Sequence, residues 1–158
     1  MTPQPHIQVR FETTADEVAE SDLIEATTKV LQQHDQGVAT ISIAVIDDDE
    51  MHELNRRFLD HDYPTDVLSF RLSDVNEPLD GEIVVSIDTA RTQAADHQWP
   101  VSAELMLYVV HGTLHLLGYD DHQEDERRTM YQTQRRILAE LGHPMNDDDE
   151  LSIQGGSS

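Results

Sequence analysis

The stretch VATISIAVI (residues 38–46) decides the fold class of this chain. Six of its nine residues are β-branched valine, isoleucine or threonine, and such a run predicts a strand in the middle of a sheet. Directly after it, Asp47 is followed three residues later by Glu50, which is a capping-box pattern and predicts the start of a helix. A central strand that leads straight into a helix indicates a fold in which helices are layered on a sheet.

Further elements are predicted on both sides of this stretch. Ser21 and Asp88 are the predicted N-cap residues of two helices, Gly118 is expected to end another, and the segment HDYPT (residues 61–65) predicts a loop. The elements alternate without strict βαβ order, which predicts a single mixed α/β or α+β layer structure. Strands are predicted at residues 7–11, 67–70 and 82–87, and helices at residues 21–36, 47–58, 88–98, 100–118 and 123–141.

The composition predicts one cytoplasmic domain. A chain of 158 residues fits a single domain with a sizeable core, which we assign to residues 1–145. Residues 146–158 are acidic and then rich in glycine and serine, so this tail is predicted to be disordered. No secretory signal and no apolar run long enough to span a bilayer is found. The chain has no cysteine, which excludes disulfides and thiolate metal sites and makes a reducing cytoplasm the expected compartment.

The charge is strongly negative. The chain has 32 acidic residues and 10 basic ones, and its formal net charge is −22. Such a chain repels polyanions at long range and is highly soluble. Taken alone, this balance argues against a nucleic-acid-binding protein, which normally has a basic patch.

Two histidines in the most apolar predicted helix indicate a metal site. The segment HGTLH (residues 111–115) places His111 and His115 four residues apart. On a helix this spacing corresponds to about 6 Å of rise and about 40° of rotation, so both rings project from one face and can reach one ion. Because two imidazoles without partners are costly in so apolar a helix, we prefer a metal site to a pair of satisfied core histidines.

The third ligand is expected on the segment that follows this helix. Gly118 breaks the helix three residues after His115, and the chain can then fold back and bring His122 toward the pair. Three nitrogen ligands and no thiolate are typical of the open, catalytic class of zinc site. The sequence therefore predicts one Zn²⁺ ion held by His111, His115 and His122 in a hydrolase.

Three segments together resemble a known family. The segment HGTLHLLGYDDH (residues 111–122) is similar to the signature of the YbeY family of metal-dependent endoribonucleases. LNRRFLDHDYPTDVLSF (residues 54–70) resembles a second family motif, and GEIVVS (residues 81–86) with the Gln-Ala pair at 93–94 resembles a third. The three segments have the order and spacing of the family within residues 7–142.

This resemblance implies both a fold and an activity. It implies an α+β domain with a small mixed sheet and a zinc site on a helix. It also implies a single-strand-specific endoribonuclease that acts in maturation of the 3′ end of small-subunit ribosomal RNA and in ribosome quality control. The implied partners are ribosomal RNA and the small ribosomal subunit or its proteins, with neither a membrane nor an organic cofactor.

The chain departs from the family pattern at two positions. The family has five residues between its second and third histidines, whereas six residues separate His115 from His122, so that Asp121 occupies the usual ligand position. We prefer His122 as the ligand and keep Asp121 as the alternative. The family arginine that stabilises phosphate charge corresponds to Leu59, and Arg57 is our candidate for that role, with Arg56 as the alternative.

Two other functions fit part of this pattern. Zinc peptidases have the same histidine spacing, but they carry a glutamate general base directly after the first histidine, where this chain has Gly112. A non-catalytic, ribosome-associated module with a structural zinc is the second alternative. The absence of cysteine makes that module less favoured, because structural zinc sites generally use thiolates.

Overall fold

The structure is a computed structural model that describes residues 4–58, 67–119, 123–145 and 155–157. Over these residues the strands are β1 (His6–Phe11), β2 (Thr40–Ile46), β3 (Val67–Arg71), β4 (Asp80–Ser86) and β5 (Gly155–Ser157). The helices are α1 (Glu20–Gln33), α2 (Asp48–Phe58), α3 (Ile87–His97), α4 (Val101–Leu116) and α5 (Glu124–Glu140). The predicted elements are therefore present, with ends that differ by a few residues.

The described strands form one mixed sheet in the order β1-β2-β4-β3-β5. β2 lies between β1 and β4 and is parallel to both, which confirms the central strand predicted from residues 38–46. β3 is antiparallel to β4, and β5 is parallel to β3. The predicted α+β domain with a small mixed sheet is confirmed.

Helices cover the two faces of the sheet unequally. Alternate residues of a strand point to opposite faces. Ile43 and Val45 of β2 belong to the large core that also contains residues of α1, α3, α4 and α5. Ala44 and Ile46 face the other way and pack with Met51 of α2. The sheet thus separates α2 from α4.

Helix α4 is the buried centre of the large core. It contacts α1, α3 and α5 as well as β3 and β4. Two glycines let it approach the sheet closely. A Cβ atom on Gly112 would lie 3.1 Å from Ile83 Cγ2 and 3.2 Å from Val67 Cγ2, and one on Gly81 would lie 2.8 Å from Leu116 Cδ1. The helix that carries the two predicted ligands is therefore held rigidly against β3 and β4.

Two of the predicted helix caps are wrong. α1 begins after Ala19 instead of Ser21, and Asp22 accepts a hydrogen bond from the Ala19 N–H at 3.2 Å. Ser86 is the N-cap of α3, and its hydroxyl accepts from the Thr89 N–H. The Asp88 carboxylate instead accepts from the Asp48 N–H at 3.0 Å, so it caps the neighbouring helix α2. A local pattern identifies a capping side chain, but tertiary contact decides which helix it serves.

Part of the C-terminal tail joins the sheet. Residues 155–157 form β5 at the edge of the sheet, which differs from the disorder predicted for this part of the tail. The rest of the tail, the loop at 61–65, and Asp121 with His122 lie outside the described residues. The boundary at residue 145 stays a prediction. Among the described helices, none is long and apolar enough to cross a bilayer.

Candidate metal centre

The two predicted histidine ligands meet in the last two turns of α4. His111 is only 4% exposed, and His115 is half-buried. Their Nε2 atoms lie 3.0 Å apart, and the rings meet nearly edge to face with centroids 4.5 Å apart. The predicted helical spacing has therefore brought the two rings to one point.

Both rings direct their unprotonated nitrogen toward that point. His115 Nδ1 lies 3.1 Å from the backbone oxygen of Tyr119, and His111 Nδ1 lies 2.6 Å from Oε1 of Gln134. Because these oxygens can only accept hydrogen bonds, each Nδ1 carries the ring proton of the neutral histidine. Each Nε2 is then left with a lone pair that faces the other ring.

This donor set fits a metal ion. Two lone pairs at 3.0 Å repel each other unless a cation or a proton lies between them. Two nitrogens on one tetrahedral zinc, each bonded at about 2.0–2.1 Å, are about 3.3 Å apart. A hydrogen bond from the second ring nitrogen to an oxygen is also the usual arrangement for a metal-binding histidine.

The described residues do not contain a complete site. Within residues 4–58, 67–119, 123–145 and 155–157, no group of three histidine or carboxylate side chains is placed to hold an ion. The predicted third ligand His122 and its alternative Asp121 fall in the gap at 120–122. The third position of the site therefore stays a prediction.

The turn that leads toward the third ligand is firmly anchored. Gly118 has a φ of 101°, a left-handed conformation that favours glycine, and it ends α4 as predicted. The Tyr119 hydroxyl lies 2.8 Å from His34 Nε2, and His34 Nδ1 lies 2.8 Å from the Val30 carbonyl oxygen. His34 is the C-cap of α1, so the end of this helix holds Tyr119 in place. The carbonyl oxygen of Tyr119 in turn orients His115.

A groove opens beside this turn. Its volume is about 400 Å³, and two carboxylates, Asp125 and Glu126, contribute to its wall. Their negative charge disfavours an anionic ligand on this side of the turn. The lining residues are Leu117, Gly118, Tyr119, Asp125, Glu126 and Thr129.

The predicted cationic residue Arg57 lies in the last turn of α2 and is exposed. That helix packs on the face of the sheet opposite to α4. The neighbouring Arg56 forms an ion pair with Glu53. Residues 59–66 lie outside the described residues, and the next described residue, Val67, packs against α4 beside Gly112. The role of Arg57 at the site stays a prediction.

Sequence reasoning missed two groups of the site, the Tyr119 carbonyl and Gln134. Backbone oxygens leave no trace in a sequence. Gln134 does give a weak sequence signal, because it occupies a core position of α5 among the apolar residues Met130, Ile137 and Leu138. A polar residue at such a position indicates a buried partner.

The comparisons with known proteins identify the family of the chain. The family model described as Endoribonuclease YbeY matches residues 8–142. A relative named Endoribonuclease YbeY from Wolbachia sp. subsp. Drosophila simulans is 42% identical over 124 residues, which cover 78% of this chain and 82% of the relative. A relative of the same name from Rhodopirellula baltica is 34% identical over 176 residues, which cover 99% of this chain and 91% of the relative.

A solved structure has the same fold. The solution structure of TM1509 from Thermotoga maritima superposes with a TM-score of 0.59 at 27% sequence identity, and the match covers 87% of this chain and 89% of that one. The family model, the relatives and the histidine pair on α4 agree with the resemblance drawn from the three sequence motifs. The chain belongs to the YbeY family of endoribonucleases.

Proposed function

We propose that this chain is a zinc-dependent, single-strand-specific endoribonuclease of the cytoplasm. Its role is maturation of the 3′ end of small-subunit ribosomal RNA and ribosome quality control. Family membership supports the endoribonuclease activity, because the matching relatives carry that name. The observation on this chain that carries the proposal is the pair of facing Nε2 atoms on His111 and His115, 3.0 Å apart.

In this proposal His111, His115 and His122 hold one Zn²⁺ ion. When bound, zinc lowers the pKa of a water ligand to about 7 and polarises a phosphoryl oxygen. The chain's own contribution is orientation. The Tyr119 carbonyl and Gln134 hold the two rings so that both Nε2 atoms point to the same place before any ion arrives. Asp121 is the alternative to His122.

Arg57 is the proposed cation for the phosphate of the substrate. Cleavage of a phosphodiester builds negative charge on the non-bridging oxygens, and a guanidinium stabilises this charge. Arg56, which forms an exposed ion pair with Glu53, is the alternative. Arg57 is supported by its place in the last turn of α2, two residues before Leu59, which stands where the family has its arginine.

The proposed partners are ribosomal RNA and the small ribosomal subunit or its proteins. A net charge of −22 weakens binding to bare RNA, most of all at low salt. Docking on basic ribosomal proteins therefore supplies the attraction that the enzyme's overall charge does not. The acidic groove beside Tyr119 further disfavours an approach of RNA from that side.

The peptidase alternative is disfavoured by the environment of Gly112. In zinc peptidases with this histidine spacing, the residue after the first histidine is the glutamate general base. Here that position faces the sheet, where even a Cβ would lie 3.1 Å from Ile83. No side chain at this position reaches toward the histidine pair, so the general base of that mechanism has no place.

The proposal is tested by an assay on matched substrates. A labelled single-stranded fragment from the 3′ end of small-subunit ribosomal RNA, the same fragment in a duplex, and casein are incubated with the zinc-loaded chain. We expect cleavage of the single strand alone, and loss of this cleavage after chelation or in His115→Ala. Cleavage of casein supports the peptidase instead. Zinc binding without cleavage of any substrate supports the non-catalytic module.

A further inference from the structure

Gln134 is a buried polar residue that lies on a different helix from the histidines. Its side chain is only 3% exposed and sits on the side of α5 that packs against α4. A buried amide is costly unless its polar atoms have partners. Its Oε1 atom has such a partner in His111 Nδ1, at 2.6 Å.

The two histidines are oriented by different parts of the fold. The Tyr119 oxygen that orients His115 belongs to the turn at the end of α4 itself, four residues away. The oxygen that orients His111 comes from a side chain 23 residues away on another helix. His115 is therefore oriented locally, whereas the orientation of His111 depends on the packing of α5 against α4.

We infer that Gln134 is a positioning residue of the metal centre, an inference that rests on the proposed function. Its amide oxygen holds the proton of His111 on Nδ1 and so presents the Nε2 lone pair to the ion. It also fixes the angle of the His111 ring. Gln134 does not touch the metal or the substrate. Its contribution is expected in metal affinity and in the identity of the coordinating nitrogen.

Two substitutions separate the acceptor role from packing. Gln134→Glu keeps the side-chain length and an oxygen acceptor for the Nδ1–H. Gln134→Met has nearly the same shape but accepts no comparable hydrogen bond. Gln132→Met is the matched control, because Gln132 lies on the exposed side of the same helix.

The experiment measures zinc affinity and coordination in the purified full-length chain. Competition with a chromophoric chelator gives the zinc dissociation constant, and ¹⁵N spectra of labelled histidine in the zinc-loaded protein identify the coordinating nitrogen of each ring. We expect Nε2 coordination by His111 in the unsubstituted chain. We expect Gln134→Met to bind zinc about 10–100-fold more weakly. Gln134→Glu is expected to bind at least as tightly as the unsubstituted chain, and Gln132→Met to be unchanged.

Several outcomes overturn the inference. Coordination through Nδ1 of His111 in the unsubstituted chain does so even if a variant fails to fold. Unchanged zinc affinity in Gln134→Met, or an equal loss in Gln134→Glu, assigns Gln134 to packing alone. If the unsubstituted chain in these cases binds zinc and cleaves RNA in the assay above, the proposed function stands and only the role of Gln134 is wrong. A chain that binds no zinc overturns the proposed metal site together with this inference.

Discussion

One aspartate separates this chain from the usual ligand spacing of its family. The extra residue leaves Asp121 at the usual ligand position and His122 one place later. We expect His122→Ala to abolish tight zinc binding. Asp121→Ala should cost at most about 10–100-fold in zinc affinity, the effect of a lost contact to a ligand. Zinc dissociation constants of the two purified variants decide the question.

The opposite result is equally informative. If Asp121→Ala loses the metal and His122→Ala keeps it, the site consists of two histidines and a carboxylate with the usual family spacing. If both variants keep full zinc content, neither residue is the third ligand. We favour His122 because an imidazole side chain is long enough to absorb a backbone shift of one residue.

The ion pair of Glu17 and Arg91 is expected to make the stability of the fold depend on pH. Arg91 donates to Glu17 from Nε at 2.6 Å and from Nη2 at 3.0 Å, and these hydrogen bonds lower the pKa of Glu17 below its usual value. A lowered native pKa stabilises the fold above the pKa of the unfolded state, and this stability is lost as the pH falls through the native pKa. Both side chains are more than a third exposed, so the effect is at most about 1 kcal/mol.

Glu17→Gln should therefore lower the melting temperature at neutral pH. The difference from the unsubstituted chain should shrink as the pH falls below about 4 and vanish once Glu17 is protonated in both states. Glu25→Gln is the control, because it removes one exposed negative charge from α1 and reports the general relief of self-repulsion. A difference that persists unchanged at acid pH would rule out the ion pair as its cause.

At the scale of elements, the close approach of α4 to the sheet depends on Gly112. Its Cβ position already lies 3.1–3.2 Å from Ile83 and Val67, so the two added methyl groups of Gly112→Val have no room. We expect this variant to lose about 1–3 kcal/mol of unfolding free energy through overpacking, measured by denaturant titration of the metal-free chain. Ala139→Val, at an exposed position of α5, controls for the cost of a β-branched residue in a helix.

The elements also show which features a sequence reveals. The strand β2 and the His111–His115 pair were predictable, because each depends on a short periodic pattern within one element. The caps Ser21 and Asp88 were assigned wrongly, since α1 begins after Ala19 and Asp88 serves α2 across a tertiary contact. Gln134 was missed for the same reason, because its partner lies 23 residues away on another helix. Features that depend on how two elements pack were not predictable from local patterns.

At the scale of the whole molecule, basic charge is scarce and unevenly distributed. Four of the ten basic residues of the chain belong to α5, the helix that also carries Gln134. The first turn of the same helix is acidic, with Glu124, Asp125 and Glu126. The sign of the charge thus changes along α5, a feature that the net charge of −22 conceals.

Removal of metal should destabilise the entire fold. The proposed ligands His111 and His115 lie in α4, which contacts most of the described elements, so an ion bound there is linked to global unfolding. A ligand that binds only the native state at about 1,000 times its dissociation constant adds about 4 kcal/mol. We expect a chelator to lower the melting temperature clearly. The same chelator should have little effect on His115→Ala, which serves as the control. An unchanged melting curve after verified metal removal would contradict a tightly bound ion.

The last prediction concerns residues 146–158. Within this tail, Gly155–Ser157 adds three residues to the edge of β3, but two of them are glycines that bring no side chain to the core. We therefore expect deletion of 146–158 to leave folding and RNA cleavage intact. The expected cost is at most about 1 kcal/mol, or about 2–4 °C in melting temperature. Gly156→Pro is the control, because it removes one backbone donor without shortening the chain.

The deletion and the control together separate two contributions of the tail. An equal small loss in both variants assigns the effect to the β5 hydrogen bonds. A loss in the deletion alone shows that residues outside β5 contribute. The deletion also leaves the edge of β3 unpaired, and an unpaired edge can join another chain. Size-exclusion chromatography at several protein concentrations measures this association. Loss of soluble expression would contradict the prediction and show that the tail packs on the domain beside α4, which β5 contacts.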